Sequence, residues 1–356
     1  MSIPDRILTP VLEELPDYKM MGCMGEGSFG YVVQCKNLKT KEIVAVKISK
    51  DTSSPDDVKE SGELITLQKL RRLDPDRACL IKYHDYHHVC GRVVIVFEKL
   101  DITIYDYMKK RGWAPMPICD LKNIMKDIAT ACKALKEVGV IHTDMKLDNV
   151  MLVDQRKRPL RTKLIDFGES VKTKQVCTGT IVQALPYRAP EVILGLRYTE
   201  AIDIWSLGMI TAHLFIGFAL CPGTNEYETM RCIIKLLGKP PKKMLDEGIY
   251  TRLYFYKCPG VNTSKKIWTF KTPEQYEKEN RVKPKDRRKR ILSSLDEIKS
   301  LPLHNKRSHS SEEISACVEL MKKMLQIDPK NRISVYAVLL HPFLTDDLSL
   351  MSESEL

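Results

Sequence analysis

Several features typical of secreted, membrane and metal-binding proteins are missing from this sequence of 356 residues. Its 11 cysteines are scattered and never form Cys-x-x-Cys, the paired spacing that metal sites and disulfide frameworks use. No apolar run reaches the roughly 18 residues of a membrane span. The first ten residues lack the basic and apolar blocks of a signal peptide. We therefore expect reduced thiols, a location in the nucleus and cytoplasm, and no membrane contact.

Acidic residues are outnumbered, since 46 Asp and Glu accompany 57 Lys and Arg and leave a net charge of +11. Part of the excess lies in the run from Arg281 to Arg290, which holds seven basic residues and one acidic residue. Three interpretations are open: a solvated surface face, a nuclear import signal, or a docking patch for acidic partners. Direct binding of nucleic acid is not expected.

The first part of the chain reads as a tail followed by strands. Residues 1–17 contain Pro4, Pro10 and Pro16 and show no sustained periodicity, so a tail is predicted there. Two β-branched runs, Ile43–Ile48 and Arg92–Phe97, are typical of strands. Between them, leucines at threefold spacing predict a helix over residues 58–73.

From Ile118 onward the pattern is helical. Apolar residues at 3/4 spacing predict a helix that Gly139 ends, and the almost wholly apolar Ala201–Ile216 predicts a buried helix. Ser310 and Glu313 offer a capping box for a helix through Leu325. The polar, basic stretch 239–308 is predicted as an insert of helix and loop. The fold class is therefore α+β, with a small β-rich lobe followed by a larger helical lobe.

Five short strings occur in a fixed order. They are Gly25-Glu26-Gly27-Ser28-Phe29-Gly30, Val44-Ala45-Val46-Lys47, His142-Thr143-Asp144-Met145-Lys146-Leu147-Asp148-Asn149, Asp166-Phe167-Gly168 and Ala189-Pro190-Glu191. Together they resemble the signature of eukaryotic protein kinases. The glycine string alone also suits a dinucleotide-binding fold, but there it opens a helix. Here Tyr31–Cys35 continues as a strand, which favours a hairpin whose backbone approaches phosphates.

Lys47 lies in an apolar strand, where a buried ammonium requires an ionic partner. Glu63 and Glu60 are both within reach on the predicted helix. Glu63 is preferred because it aligns with the apolar stripe of Leu67 and Leu70. In a kinase this pair orients the lysine on the α- and β-phosphates of ATP.

The third and fourth strings supply the remaining chemistry. Asp144 is the predicted base for a substrate hydroxyl, and Lys146 would hold the γ-phosphate. Asn149 and Asp166 would hold Mg²⁺, a hard ion that prefers oxygen ligands. His142 is interpreted as a packing element beneath Phe167.

Three further residues are expected to have structural roles. Glu191 would be a buried acid with Arg332 as its bidentate partner. Asp203, at the start of the buried helix, would bind the backbone of the loop that contains Asp144.

Within the kinases, the chain resembles the homeodomain-interacting protein kinases of the CMGC group over about 18–344. The strings behind this resemblance include Phe97-Glu98-Lys99-Leu100, Val140-Ile141-His142-Thr143-Asp144 and Thr269-Phe270-Lys271-Thr272-Pro273. It implies an N-lobe over about 18–97, a hinge at 98–101, a C-lobe over 102–344 and a C-terminal tail at 345–356. It also implies an ATP site formed by Gly25, Glu26, Gly27, Ser28, Phe29, Gly30, Val32, Ala45, Lys47, Phe97, Glu98 and Leu100. Phe97 would be the gatekeeper.

The sequence departs from that family's pattern at two positions. Ile181 stands where relatives carry a self-phosphorylated tyrosine, and Leu185 where they carry an arginine tied to proline preference. As in that family, position 143 lacks the arginine that usually clamps an activation-loop phosphate, and Thr143 stands there. We therefore expect activity without activation-loop phosphorylation, and leave proline preference open. Lys146 after Met145 favours Ser/Thr over Tyr targets.

The resemblance implies a monomer that uses ATP and Mg²⁺ to phosphorylate Ser and Thr in protein substrates, with nuclear regulators as partners. The alternative is a kinase-shaped scaffold that binds ATP and partners but turns over poorly. The altered activation segment favours the scaffold, whereas the complete set of chemical residues favours the enzyme.

Overall fold

The computed structural model describes residues 3–27, 30–50, 52, 62–260, 263–301 and 310–345. A small lobe is built on a five-stranded antiparallel sheet, and a larger lobe is mainly helical. This arrangement confirms the predicted α+β, two-lobed class. No helix in these ranges combines the length and the apolar character that crossing a bilayer requires.

The sheet has the strand order β1-β2-β3-β5-β4. The strands are β1 Tyr18–Glu26, β2 Gly30–Asn37, β3 Ile43–Ser49, β4 Tyr83–Val89 and β5 Arg92–Glu98. The two predicted β-branched runs are therefore confirmed as β3 and β5. They pair in the interior of the sheet, with Val46 opposite Val96, where β-branched side chains pack on both faces.

A helix covers one face of this sheet, where the sequence predicted only a tail. Helix α1, Ile3–Glu13, is followed by a turn, and Leu8, Val11 and Leu15 are buried against the sheet. On each strand, every second side chain points to this helix, as those of Val44 and Val46 do on β3. The prediction of a tail over 1–17 is wrong because the 3/4 spacing of these three apolar residues outweighs the interrupting prolines.

The opposite face of the sheet turns toward helix α2, Gly62–Leu70, and the larger lobe. This helix lies within the range predicted for it, and residues 53–61 fall outside the described part of the chain. Because side chains alternate on a strand, Ala45 faces this side while Val44 and Val46 face α1. The cleft between the lobes therefore opens on one face of the sheet.

The larger lobe consists mainly of helices. The helices up to the middle of this lobe are α3 Ile104–Lys110, α4 Ile118–Glu137, α5 Pro190–Ile193, α6 Ala201–Ile216 and α7 Glu226–Leu237. The remaining ones are α8 Lys242–Glu247, α9 Thr251–Tyr254, α10 Pro273–Asn280, α11 Ser311–Met324, α12 Val335–Leu339 and α13 Pro342–Thr345. The buried helix is confirmed as α6, and the capping box of Ser310 and Glu313 is present at α11.

Short strands of this lobe form paired ribbons. They are β6 Val140–Ile141 with β9 Val171–Lys172, β7 Val150–Leu152 with β8 Thr162–Leu164, and β10 Phe255–Gly260 with β11 Thr263–Phe270. The last ribbon lies inside the insert 239–308, which the sequence predicted as helix and loop only. Helices α8 to α10 are present there, so that prediction is correct for the helices and wrong for the hairpin. Of the tail expected over 345–356, only Thr345 is described, as the last residue of α13.

Candidate active site

The glycine string lies at the turn between β1 and β2, which pair antiparallel. The amide of Gly27 donates to the carbonyl of Gly30 at 2.9 Å, so the string closes a hairpin. A Cβ at position 30 would collide with the carbonyl oxygen of Ile48, so only glycine fits there. The dinucleotide-binding alternative is wrong because no helix follows the string. Ser28 and Phe29 lie outside the described residues.

Lys47 makes two ion pairs, one within the small lobe and one to the larger lobe. Its Nζ lies 2.7 Å from Oε1 of Glu63 on α2 and 3.1 Å from Oδ1 of Asp166. The predicted pairing with Glu63 is therefore confirmed, while Glu60 lies outside the described residues. Because the three side chains are between 16% and 31% exposed, solvent screens these attractions only in part.

Burial and charge act in opposite directions on this triad. Burial raises the pKa of Glu63, and the attraction of Lys47 does not cancel it. For Asp166, burial is again the largest effect, but the combined contacts with Lys47 outweigh it and lower the pKa. Burial works against the Lys47 ammonium, yet its two carboxylate partners hold its pKa above the ordinary value. The site thus contains a stabilised carboxylate at Asp166 beside a stabilised cation.

The β7–β8 ribbon brings Asn149 next to Asp166. Asn149 directly precedes β7, and only Ile165 separates the end of β8 from Asp166. Val150 is paired with Leu164, and the amide of Ile165 donates to the carbonyl of Asn149 at 2.9 Å. Residues separated by 17 positions therefore lie at the same end of one hairpin.

Asp144 is held by two residues of its own loop. Lys146 Nζ lies 2.6 Å from Oδ2 of Asp144, and Nδ2 of Asn149 donates to the same oxygen at 2.9 Å. Asn149 Nδ2 also donates to the backbone carbonyl of Asp144 at 2.8 Å. Since both bonds use the amide nitrogen, the amide oxygen of Asn149 remains for another ligand.

The loop itself is fixed from below by Asp203 of α6. Its two carboxylate oxygens accept the backbone amides of His142 at 2.8 Å and Thr143 at 3.1 Å. The His142 ring lies within hydrogen-bond distance, 3.0 Å, of the Ile165 carbonyl and makes an edge contact with Phe167. The predicted roles of Asp203 and His142 are confirmed.

Two non-glycine residues of this region have left-handed backbone conformations. The φ angles of Thr143 and Asp166 are 65° and 60°. Such conformations cost free energy and persist only where surrounding contacts impose them. The Thr143 hydroxyl donates to the carbonyl of Glu169 at 2.6 Å, which ties the Asp144 loop to the chain after Asp166.

A cavity of about 750 Å³ lies between the lobes and collects most of these groups. Every predicted ATP-site residue within the described ranges lines it, and so do Glu63, Lys146, Asn149 and Asp166. Asp144 is not part of its lining. Six other residues that line the cavity were not predicted from the sequence: Met24, Ile81, Thr103, Asp148, Met151 and Ile165. Met151 lies on β7 two residues after Asn149, and Ile165 directly precedes Asp166. Their positions beside predicted residues were therefore an available signal. Nothing in the neighbouring sequence marks Ile81.

The carboxylate of Glu98 already has two partners within the protein. It lies 2.5 Å from Nζ of Lys163, which is only 4% exposed, and accepts the amide of Lys82 at 2.6 Å. The carboxylate therefore fastens the segment between the lobes to β8. A ligand in the cavity would meet the backbone of this segment rather than the Glu98 carboxylate.

Glu191 and Arg332 form a buried bidentate pair, as predicted. Arg332 Nη1 and Nη2 lie 2.6 and 2.9 Å from the two carboxylate oxygens. The side chains are 1% and 0% exposed. Arg332 also donates to the Ala201 carbonyl at 2.8 Å, so the pair joins α5 to the start of α6.

Comparison with known proteins adds to this geometry. A model of the protein kinase domain matches residues 18–344. Homeodomain-interacting protein kinase 1 of Mus musculus is 35% identical over 334 residues, which cover 92% of this chain and 27% of that protein. Homeodomain-interacting protein kinase 4 of Homo sapiens is 33% identical over 350 residues, covering 95% of this chain and 56% of that protein. The chain thus spans between about a quarter and slightly more than half of the curated relatives it matches.

Proposed function

Because this chain belongs to the protein kinase family, we propose that it is an ATP-dependent serine/threonine kinase. It would transfer the γ-phosphate to Ser and Thr hydroxyls of protein substrates. One observation carries the proposal: the contacts of Lys47 with Glu63 and Asp166 border the same cavity as Lys146 and Asn149. A binding module has no chemical need for this whole set.

The residues present fit ATP and Mg²⁺. The cavity of about 750 Å³ has the size of small-molecule sites. Its floor offers the Asp166 carboxylate and the amide oxygen of Asn149, both of which are oxygen ligands of the type Mg²⁺ prefers. When bound, the metal would neutralise charge on the phosphates.

The chain's own groups would then position the reactants. Lys47, oriented by Glu63, would bind the α- and β-phosphates, and the glycine hairpin would cover them with its backbone. Asp144 would accept the proton of the substrate hydroxyl. Lys146 lies 2.6 Å from Asp144, so the ammonium that contacts the base would also bind the γ-phosphate.

The test is phosphate transfer from Mg·ATP by the purified chain to a peptide library containing Ser, Thr and Tyr acceptors. We expect labelled Ser and Thr peptides and unlabelled Tyr peptides. The residues that follow the preferred acceptors will decide whether proline is selected despite Leu185. Folded protein that binds ATP but transfers nothing would support the scaffold alternative.

We further expect that activity does not require phosphorylation of the activation segment. Thr178 and Thr180 are exposed, and Thr143 provides no guanidinium to clamp a phosphate. Other contacts already hold this segment. Tyr250 donates to the Gly179 carbonyl at 2.9 Å, and the Gln183 side chain donates to Ser206 at 2.8 Å.

The measurement is the initial transfer rate before and after phosphatase treatment, with dephosphorylation followed by mass spectrometry. The treated protein should keep its rate within about twofold, because no phosphate-dependent switch is needed to order the segment. A large loss that rephosphorylation restores would contradict this expectation.

We also propose a monomer in the nucleus and cytoplasm whose protein partners include nuclear regulators. Support comes from the basic run, in which Arg287, Lys289 and Arg290 are exposed. Changing these three residues to Ala should lower the nuclear fraction of a fluorescent fusion. An unchanged nuclear fraction would contradict the import proposal and favour the interpretation of the run as a solvated surface face.

A further inference from the structure

Two cysteines of the larger lobe lie side by side, far from the groups assigned to phosphate transfer. Cys221 follows α6, and Cys232 lies on α7. Their sulfur atoms are 2.7 Å apart, within hydrogen-bond distance, and the residues are 1% and 5% exposed. The Cys232 thiol also lies 3.1 Å from the Leu220 carbonyl. The sulfurs of a disulfide are about 2.0 Å apart, so only a small movement separates this pair from a bond.

An arginine of the basic run lies beside this pair. Arg288 is only 6% exposed in its side chain and lines both small cavities that border Cys232. Asp286 orients it through two bonds of 2.9 and 2.5 Å. The run 281–290 is therefore not a uniformly solvated face, because one of its guanidinium groups packs against the core.

This environment makes the two thiols unequal. The hydrogen bond from Cys221 lowers the pKa of Cys232; burial opposes this, and the charge of Arg288 adds to the lowering. The same hydrogen bond, together with burial, raises the pKa of Cys221. Arg288 lines the two cavities together with Cys232 and not with Cys221, and a thiolate beside a cation is the nucleophile in thiol oxidation. We therefore expect Cys232 to react first.

A small cavity lies beside Cys232. The first of the two cavities has a volume of about 20 Å³ and is lined by Arg231 and Arg288 together with Cys232. A cavity of that volume holds a molecule of about the size of water. Hydrogen peroxide is only slightly larger, whereas a bulky disulfide such as oxidised glutathione is excluded.

We propose that Cys221 and Cys232 form an oxidation site for peroxide, with Cys232 as the attacking sulfur and Cys221 as the resolving sulfur. The Cys232 thiolate attacks one peroxide oxygen, the O–O bond breaks, and the departing hydroxide takes up a proton to form water. The sulfenic acid on Cys232 is then attacked by the Cys221 sulfur. Its S–O bond breaks, and a second water leaves with the Cys221 proton. Two thiols are oxidised to one disulfide while one peroxide is reduced to two waters.

The experiment treats the purified chain with increasing hydrogen peroxide and maps the cysteines by mass spectrometry without reduction. We expect a Cys221–Cys232 linkage with the loss of two hydrogen atoms, at peroxide levels that leave buried Cys317 unmodified. In Cys221→Ser, mass spectrometry should find a sulfenic acid on Cys232 as the gain of one oxygen atom. In Cys232→Ser, Cys221 should gain no oxygen. Oxidation confined to exposed Cys23 or Cys177, with the pair still reduced, would overturn the proposal.

A matched set of variants tests the role of Arg288. Arg288→Gln should slow linkage about tenfold, because a smaller fraction of Cys232 is then present as thiolate. Arg288→Lys should restore most of the rate because it keeps the charge. Lys289→Gln removes the same charge from the exposed residue next to Arg288, which lines neither cavity, and should leave the rate unchanged. Equal rates in all variants, with unchanged thermal melting, would refute the assignment of Arg288. This inference does not depend on the proposed function.

Discussion

Replacing Asp166 with Asn is expected to lower the rate of phosphate transfer by about 10³-fold or more while leaving the fold intact. The amide has the same shape but no charge, so it is a poor ligand for Mg²⁺ and a weak partner for Lys47. Glu63 still holds the Lys47 ammonium at 2.7 Å, which is why the melting temperature should change little. The measurement is the steady-state rate with saturating Mg·ATP, beside a thermal melt of each protein.

Glu169→Gln is the matched control for this variant. Its exposed side chain is three residues away, and the contact recorded for Glu169 uses its backbone carbonyl. The same loss of one negative charge should therefore leave the rate within about twofold, since exposed charges are screened. If Asp166→Asn kept most of its activity, the assignment of Asp166 as a metal ligand would be wrong. If both variants lost activity equally, general charge rather than ligation would be responsible.

The sequence was sufficient for those parts of the site that lie on short strings. Asp144, Lys146 and Asn149 occupy one loop, so their spacing alone predicts that they lie together. The contact of Lys47 with Asp166 joins residues 119 positions apart. The resemblance of the ordered strings to a known signature placed both residues in one site, but their contact with each other was not predicted. Periodicity alone predicted most of the strands and helices, but not α1, the β10–β11 ribbon or this juxtaposition.

The errors have local physical causes. Pro10 lies inside α1, so reading proline as an interruption hid the apolar spacing of Leu8, Val11 and Leu15. The β10–β11 ribbon is rich in lysine, which concealed its alternation. There Trp268 is buried and packs beneath Lys257. The cysteine pair was inaccessible for another reason, since its properties depend on Arg288, which only the tertiary fold brings beside it.

The largest loss of stability is expected from Arg332→Met. This change leaves the Glu191 carboxylate, 1% exposed, without its cation and with its two hydrogen bonds unmade. Removing one partner of a buried pair costs about 3–5 kcal/mol, because the remaining charge cannot recover its hydration. The free energy of unfolding in urea should fall by that amount, and the melting temperature with it.

Two comparisons separate this explanation from a general effect of losing a basic residue. Lys243→Met breaks the pair with Glu247, whose side chain is 57% exposed, and should cost about 0–1 kcal/mol. Adding Glu191→Leu to Arg332→Met removes the stranded carboxylate and should recover part of the lost stability. Full recovery is not expected, since Arg332 also donates to the Ala201 and Gln326 carbonyls. A double variant less stable than Arg332→Met would show that packing around the guanidinium, and not the unpaired charge, dominates the loss.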